Sequence, residues 1–241
     1  MSIFRTIALF VYLFGYMIVH YSVLCKAERA LAAGDTETVR QLVKKHIPHW
    51  SKGILNVTGV RLSVEGLDNI PKDGPCVFVA NHRSYYDIPL LLAGLDEPYG
   101  ILAKEELGKI PLLNRWMKLL GCVFVQRDDV RASVRALNDA TAIVESGRSF
   151  IIFPEGTRRP QPLPSEFKSG IWRLMREFPE VELIPVYIEN LHRAMPKGVY
   201  IPVPTICSVH FGAPLEHSPE DPKEVFLTRA RQAVIDLAQQ Q

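Results

Sequence analysis

Residues 76–87 read CVFVANHRSYYD, and residues 149–158 read SFIIFPEGTR. In each, a short apolar run rich in β-branched and aromatic residues stops abruptly at polar ones. Such a run, bounded by turn-formers, has the signature of a strand buried on both faces. Pro71-Lys72-Asp73-Gly74 supplies the turn before the first of them. Similar runs stand at 100–103, 122–125, 183–188 and 206–211, and Val60, Leu62 and Val64 alternate up to Gly66 as a half-buried strand would. Helical stripes lie between. One is Val130, Val134, Leu137, Thr141 and Val144, stopped by Gly147. Another is Phe167, Ile171, Leu174, Met175 and Phe178, stopped by Pro179. Asp221-Pro222 reads as a cap and first helical residue of a last helix. Strands alternating with helices predict an α/β fold, a single domain with a mixed, largely covered β-sheet flanked by helices. No internal repeat, low-complexity tract or interdomain linker interrupts it.

Composition narrows the function. The chain has 241 residues, enough for a sizeable core. Its formal net charge is only +2, with none of the basic excess of a general nucleic-acid binder. Cys25, Cys76, Cys122 and Cys207 lie far apart without a C-x-x-C pair, which argues against a zinc knuckle or a disulfide framework and for reduced thiols.

The first 50 residues read as a membrane attachment preceding an α/β domain over 51–241. Residues 6–25 carry no formal charge, and 20 residues of helix reach about 30 Å, the thickness of a bilayer core. Tyr12, Tyr16 and Tyr21 favour the interface, so the segment fits either a span or a dip into one leaflet. A signal peptide cleaved after Ala30-Leu31-Ala32 fits less well, because the apolar run is too long. Lys26, Arg29, Arg40, Lys44 and Lys45 follow it, and the positive-inside rule then leaves the bulk of the chain cytoplasmic. Next, Asp35 caps a helix whose Val39, Leu42, Val43, Ile47 and Trp50 form one stripe. With its basic polar positions, it is expected to lie on an anionic membrane surface rather than pack on the domain. His46 and His49 lie three apart without a third ligand nearby, and read as surface residues.

The chemistry concentrates in the loops after the two quoted strands. The first is Asn81-His82-Arg83-Ser84-Tyr85-Tyr86-Asp87. On a regular helix His82 and Asp87 would not share a face, but a turn leading into a helix would bring the carboxylate back to the ring. Asp87 would then fix the tautomer of His82, leaving the other ring nitrogen to take a proton from a hydroxyl. A merely structural His–Asp bond is the competing explanation. There is no G-x-S-x-G elbow, Ser84 is too near His82 to be its nucleophile, and Cys76 reads as core. In the second loop, Gly156 permits an unusual backbone, Thr157 and neighbouring N–H groups can bond phosphate oxygens, Arg158 can fork onto them, and Glu155 is expected to hold an arginine. A turn with a surface ion pair is the alternative.

Taken together, in this order and about 70 residues apart, the two loops resemble the glycerolipid acyltransferase family. The likeness is closest to bacterial 1-acyl-sn-glycerol-3-phosphate acyltransferases of the PlsC type, which pair N-H-x-x-x-x-D with F-P-E-G-T-R. It extends to Lys104-Glu105-Glu106-Leu107, Ile110-Pro111, the run ending at Arg127, and Leu183-Ile184-Pro185-Val186, roughly 57–212 in all. The resemblance implies a membrane-bound enzyme at the bacterial inner membrane that needs no metal or cofactor. It would pass a fatty acyl group from acyl-CoA or acyl carrier protein to the sn-2 hydroxyl of lysophosphatidic acid. His82 would be the general base and Asp87 its orienter. Glu155, Gly156, Thr157 and Arg158 would form the block for the acceptor phosphate, with Lys104 and Arg127 as further basic positions. The proline-rich segment at 160–164 and the basic connection at 190–198 depart from the family pattern and leave the acceptor open to other lysophospholipids. A hydrolase using His82 and Asp87 is the rival from another class, although the chain has no H-E-x-x-H. A silent lipid-binding protein is a third reading.

Overall fold

Strand β2 (Cys76–Ala80) lies at the centre of a sheet that among the described residues has seven strands, with β1 (Val60–Glu65) at one edge. The others are β3 (Gly100–Lys104), β4 (Val123–Val125), β5 (Phe150–Ile152), β6 (Glu182–Glu189) and β7 (Thr205–Phe211). All seven coincide with the apolar runs of the sequence. The computed structural model describes residues 2–95, 97, 99–126, 129–159, 161, 163–195 and 201–240, with the backbone alone at 2 and 130. Strand order is β1-β7-β6-β2-β5-β3-β4. Every pairing is parallel except β6 with β7, so the sheet is mixed. Strands β6, β2, β5, β3 and β4 therefore end at one edge. The C-terminal edge of parallel strands is where open α/β sheets place ligands.

The helices are α1 (Ser2–Val19), α2 (Tyr21–Ala32), α3 (Thr36–Thr58), α4 (Asp87–Gly94), α5 (Leu113–Leu120), α6 (Val130–Glu145), α7 (Gly170–Glu177), α8 (Leu191–Ala194) and α9 (Lys223–Gln239). They cover both faces of the sheet. Phe78 and Ala80 of β2 point into the core shared with α1–α5, while Val77 and Val79 point into the core shared with α6, α7 and α9. All five residues of β2 are buried, which is why that strand reads as an unbroken apolar run.

Three features at the N-terminus differ from expectation. The uncharged run at 6–25 is not one helix. It breaks at His20, whose ring stacks on Tyr16 at 4.0 Å, and α1 meets α2 at 55°. No single described helix is long and apolar enough to cross a membrane, although the bent pair passes that test by length and composition. Second, Asp35 does cap α3, accepting from Thr38 N at 3.0 Å, but Val39, Val43 and Ile47 are buried in the common core. The α3 stripe thus packs on the protein and not on a membrane. Its basic face is engaged too, since Arg40 pairs with Glu97 at 2.9 Å and Lys44 pairs with the same carboxylate. The helix runs unbroken through the expected boundary at residues 50 and 51. Gly53 marks how closely α1 docks here: a Cβ at that position would lie 1.8 Å from Tyr12 Oη. Third, His46 is half-buried instead of on the surface. Its carbonyl accepts from Tyr16 Oη at 3.1 Å, and burial lowers its pKa.

Smaller departures have local causes. Pro222, not Asp221, is the N-cap of α9, while Asp221 accepts from Ser218 N at 2.9 Å and pairs with Arg229. Phe167 is buried but precedes α7. The four thiols are unpaired. Burial pushes Cys76 up to about 11 and Cys122 and Cys207 up to about 12, which keeps them protonated.

Candidate active site

The loop after β2 leaves the sheet between the ends of β5 and β6. Residues 81–84 are irregular, residues 85–86 turn, and α4 begins at Asp87. This turn returns the carboxylate to the ring. His82 Nδ1 and Asp87 Oδ2 are 2.6 Å apart. A carboxylate can only accept, so Nδ1 carries the proton and the lone pair of the neutral ring sits on Nε2. Asp87 is fully buried, and the same oxygen also accepts from Arg83 N at 2.6 Å and Ser84 N at 3.0 Å. Its place in the first turn of α4 adds the favourable end of the helix dipole. The ring itself is stacked on Phe153, with centroids 4.4 Å apart. Nε2 bonds no described residue.

Glu155 holds this loop from the β5 side. Its Oε1 accepts from His82 N at 2.8 Å, and its Oε2 accepts from Ser165 N and Ser165 Oγ, both at 2.9 Å. The expectation that it holds an arginine is therefore corrected: it is 2 % exposed and positions the backbone of His82. Arg159 N donates to His82 O at 2.9 Å, closing the junction between the two loops. Gly156 has φ +69°, the left-handed conformation that its type allows. Gly156→Ala should cost about 1–2 kcal/mol of stability in urea unfolding, because that φ penalises a Cβ. A Cβ there would also meet the end of Lys168 at 2.8 Å.

Thr157 is half-buried in the bend that follows. The Arg158 guanidinium lies 3.5 Å above the Tyr85 ring, and its buried Nη1 has no partner. Lys104 ends β3 at the same edge of the sheet, but its ammonium pairs with Glu106 at 2.6 Å. Arg127 lies outside the described residues, as do Pro160, Pro162 and residues 196–200 of the two loops singled out in the sequence. The structure adds partners that spacing did not reveal. Tyr85 is a platform for Arg158, Lys168 reaches over Gly156, and Asn81 ties the loop to β6. Only the aromatic and amide residue types beside His82 hinted at the first and last of these.

Tyr85 and Tyr86 also form part of the wall of an apolar cavity of about 360 Å³. It runs between the N-terminal helices and the sheet, with Leu13, Trp50, Trp116 and Leu120 among its lining. That size is typical of a small-molecule site, and the walls offer an alkyl chain dispersion contacts without hydrogen-bonding partners. Among the described residues no three His, Cys, Asp or Glu side chains converge as metal ligands. The arrangement brings a histidine of fixed tautomer, a guanidinium with an unpartnered nitrogen and an apolar cavity together around one loop.

Comparison with known proteins gives a consistent answer. A family model described as acyltransferase matches residues 61–189. A solved structure titled the 1-acyl-sn-glycerophosphate (LPA) acyltransferase PlsC from Thermotoga maritima superposes with a TM-score of 0.80 at 29 % identity, covering 100 % of this chain and 97 % of that one. A 1-acyl-sn-glycerol-3-phosphate acyltransferase of Borreliella burgdorferi is 30 % identical over 59 % of this chain and 57 % of its own length. A chloroplastic 1-acyl-sn-glycerol-3-phosphate acyltransferase of Brassica napus is 33 % identical over 57 % of this chain. The match spans only 40 % of the Brassica protein's length. More than half of the chain, including both the His82 and Arg158 loops, thus matches one family model, and the chain belongs to the acyltransferase family.

Proposed function

We propose that the protein acylates the sn-2 hydroxyl of lysophosphatidic acid, giving phosphatidic acid, with acyl-CoA or acyl-acyl carrier protein as donor. The observation that carries this reading is the buried His82–Asp87 pair, on a loop whose Tyr85 both carries the Arg158 guanidinium on its ring and lines the apolar cavity. Nε2 takes the proton of the acceptor hydroxyl as its oxygen attacks the thioester carbonyl. A C–O bond forms, the tetrahedral intermediate collapses, and the C–S bond breaks. The imidazolium, stabilised by Asp87, returns its proton to the departing thiolate. No acyl-enzyme is needed, and the raised pKa values of the buried thiols speak against one on cysteine. Arg158 receives the acceptor phosphate, with Thr157 and the backbone around Gly156 beside it. Lys104 joins it on release from Glu106. Glu155 acts as a positioning residue through the backbone of His82. The apolar cavity houses an acyl chain.

Membrane attachment belongs to the same reading. On α1, Phe4, Ile7, Val11 and Ile18 are 56–73 % exposed, while Leu9 and Met17 on the other side are buried. A contiguous apolar face of this size on one helix suits insertion into a single leaflet. The helix would lie in the interface, with the catalytic domain facing the cytoplasm of a bacterial inner membrane.

Detergent-purified protein offered lysophosphatidic acid and either donor should yield phosphatidic acid by mass spectrometry. No product with either donor would sink the acceptor assignment, and other lysophospholipids would be tried next.

A further inference from the structure

The His82 loop has a second neighbour, the segment leaving β6. Asn81 fixes this seam: its Nδ2 donates to Ile188 O at 2.9 Å, and its Oδ1 accepts from Ile188 N at 2.7 Å. Ser84 Oγ donates to Met195 O at 3.0 Å. The short helix α8 between these two ties is thereby held against the loop of the base.

Arg83 is buried beside this seam. It is only 4 % exposed, yet its guanidinium makes no hydrogen bond or ion pair with any described residue, and Nη1 is sealed off without a partner. An arginine cannot escape burial by losing its proton, as a lysine can. A buried charge normally comes with a partner, because desolvation otherwise costs several kcal/mol. The neighbouring side chains do not supply one. His192 of α8 is half-buried, and its pKa is lowered by burial and then by the positive charges of Arg83 and Arg193. Asp87 is committed to His82 and two backbone N–H groups, and Glu189 accepts from Ser208. Among the described residues no carboxylate pairs with Arg83, His192 or Arg193. Among the described residues these three basic side chains have no paired carboxylate, and α8 follows β6 whereas Arg158 follows β5, on the other side of β2.

We propose that Arg83, with His192 and Arg193, forms a second phosphate-binding group on the β6 side of the general base. The inference rests on the acyl-transfer reading, in which both substrates carry phosphate. The acceptor bears a phosphomonoester a few bonds from the reacting hydroxyl, and the donor bears a phosphate at the far end of its pantetheine arm. The planar fork of Arg83 fits either. Bound phosphate would give Arg83 the paired negative charge that no described carboxylate supplies.

The test uses full-length protein, with Arg83→Gln and the more exposed pair His192→Gln/Arg193→Gln. Loss of one charge-assisted contact predicts a KM raised about 10–100-fold in Arg83→Gln, with kcat nearly unchanged. The double variant should move KM in the same direction. A rise confined to lysophosphatidic acid assigns the group to the acceptor phosphate; a rise confined to the acyl donor assigns it to the donor. Unchanged KM values for both substrates overturn the proposal. Should Arg83→Gln fail to fold, the double variant decides alone. A binding measurement separates the site from the reaction. In an Arg158→Gln background, glycerol 3-phosphate, or coenzyme A where the KM rise is confined to the donor, should still raise the melting temperature, and adding Arg83→Gln, or the double variant, should abolish that shift. A missing shift before that addition, or one that survives it, also overturns the proposal. Absence of turnover by wild-type protein would instead fall on the acyl-transfer reading, leaving the thermal shift to decide the site.

Discussion

His82→Ala should lower kcat for acyl transfer by about 10²–10⁴-fold, the usual contribution of a positioned base. Its KM for the acceptor should stay within about threefold, because the proton is removed only on the way to the transition state. The substitution also strips Asp87 of its Nδ1–H donor. That carboxylate is fully buried, keeps only two backbone N–H partners on Oδ2, and has no partner on Oδ1. A stability loss of about 1–3 kcal/mol is therefore expected alongside the kinetic one. His82→Asn separates the two effects. Its amide N–H can take the place of Nδ1–H and restore the bond to Asp87, but it offers no lone-pair nitrogen of useful basicity. It should regain much of the stability while remaining as slow as the alanine variant. Denaturant unfolding and initial rates on the same preparations make the comparison. An asparagine variant within about tenfold of the wild-type kcat would show that His82 is structural and that the proton goes elsewhere.

The parts of this site differ in how far the sequence discloses them. The strands are legible because they are short, buried on both faces and cut off by polar residues, as β2 and β5 show. The His82–Asp87 contact is legible because a helix starting at Asp87 folds a spacing of five residues back on itself. What Glu155 does is not legible. Its partners are His82 N and Ser165, 73 and 10 residues away in sequence, and no local pattern encodes a carboxylate that reaches a backbone amide on a neighbouring strand's loop. The same holds for Arg158 over Tyr85 and for the lone charge of Arg83. Each depends on β5, β2 and β6 lying side by side, and strand order is a long-range property. The α3 stripe fails for a different reason. Val39, Val43 and Ile47 present the same apolar face to a lipid surface as to a protein core, so periodicity cannot choose between them. Only the position of α1 and α4 against α3 decides it.

With α3 packed on the core, the proposed membrane contact rests on α1, and this leads to the second large effect. Phe4, Val11 and Ile18 recur at intervals of seven, lie on one side of α1, and are 73, 67 and 64 % exposed. Burying such side chains fully is worth about 1.5–3 kcal/mol each, and about two-thirds of that surface is open here, so serine at all three positions removes about 4 kcal/mol. The triple variant Phe4→Ser/Val11→Ser/Ile18→Ser should therefore partition into vesicles about 10³-fold less well than wild type. Because the lost attraction is apolar, the wild-type association should survive high salt, which would screen a purely basic patch. Fold stability should change little, since the three side chains face away from the core that holds Leu9 and Met17. Vesicle sedimentation and unfolding curves give the two readouts. Kinetics supply a third: turnover of lysophosphatidic acid embedded in vesicles should fall with binding, while turnover of a short-chain, water-soluble analogue should persist. A variant still bound to vesicles within about tenfold of wild type would remove α1 as the anchor. The bilayer contact would then lie elsewhere on the surface around the His82 edge of the sheet.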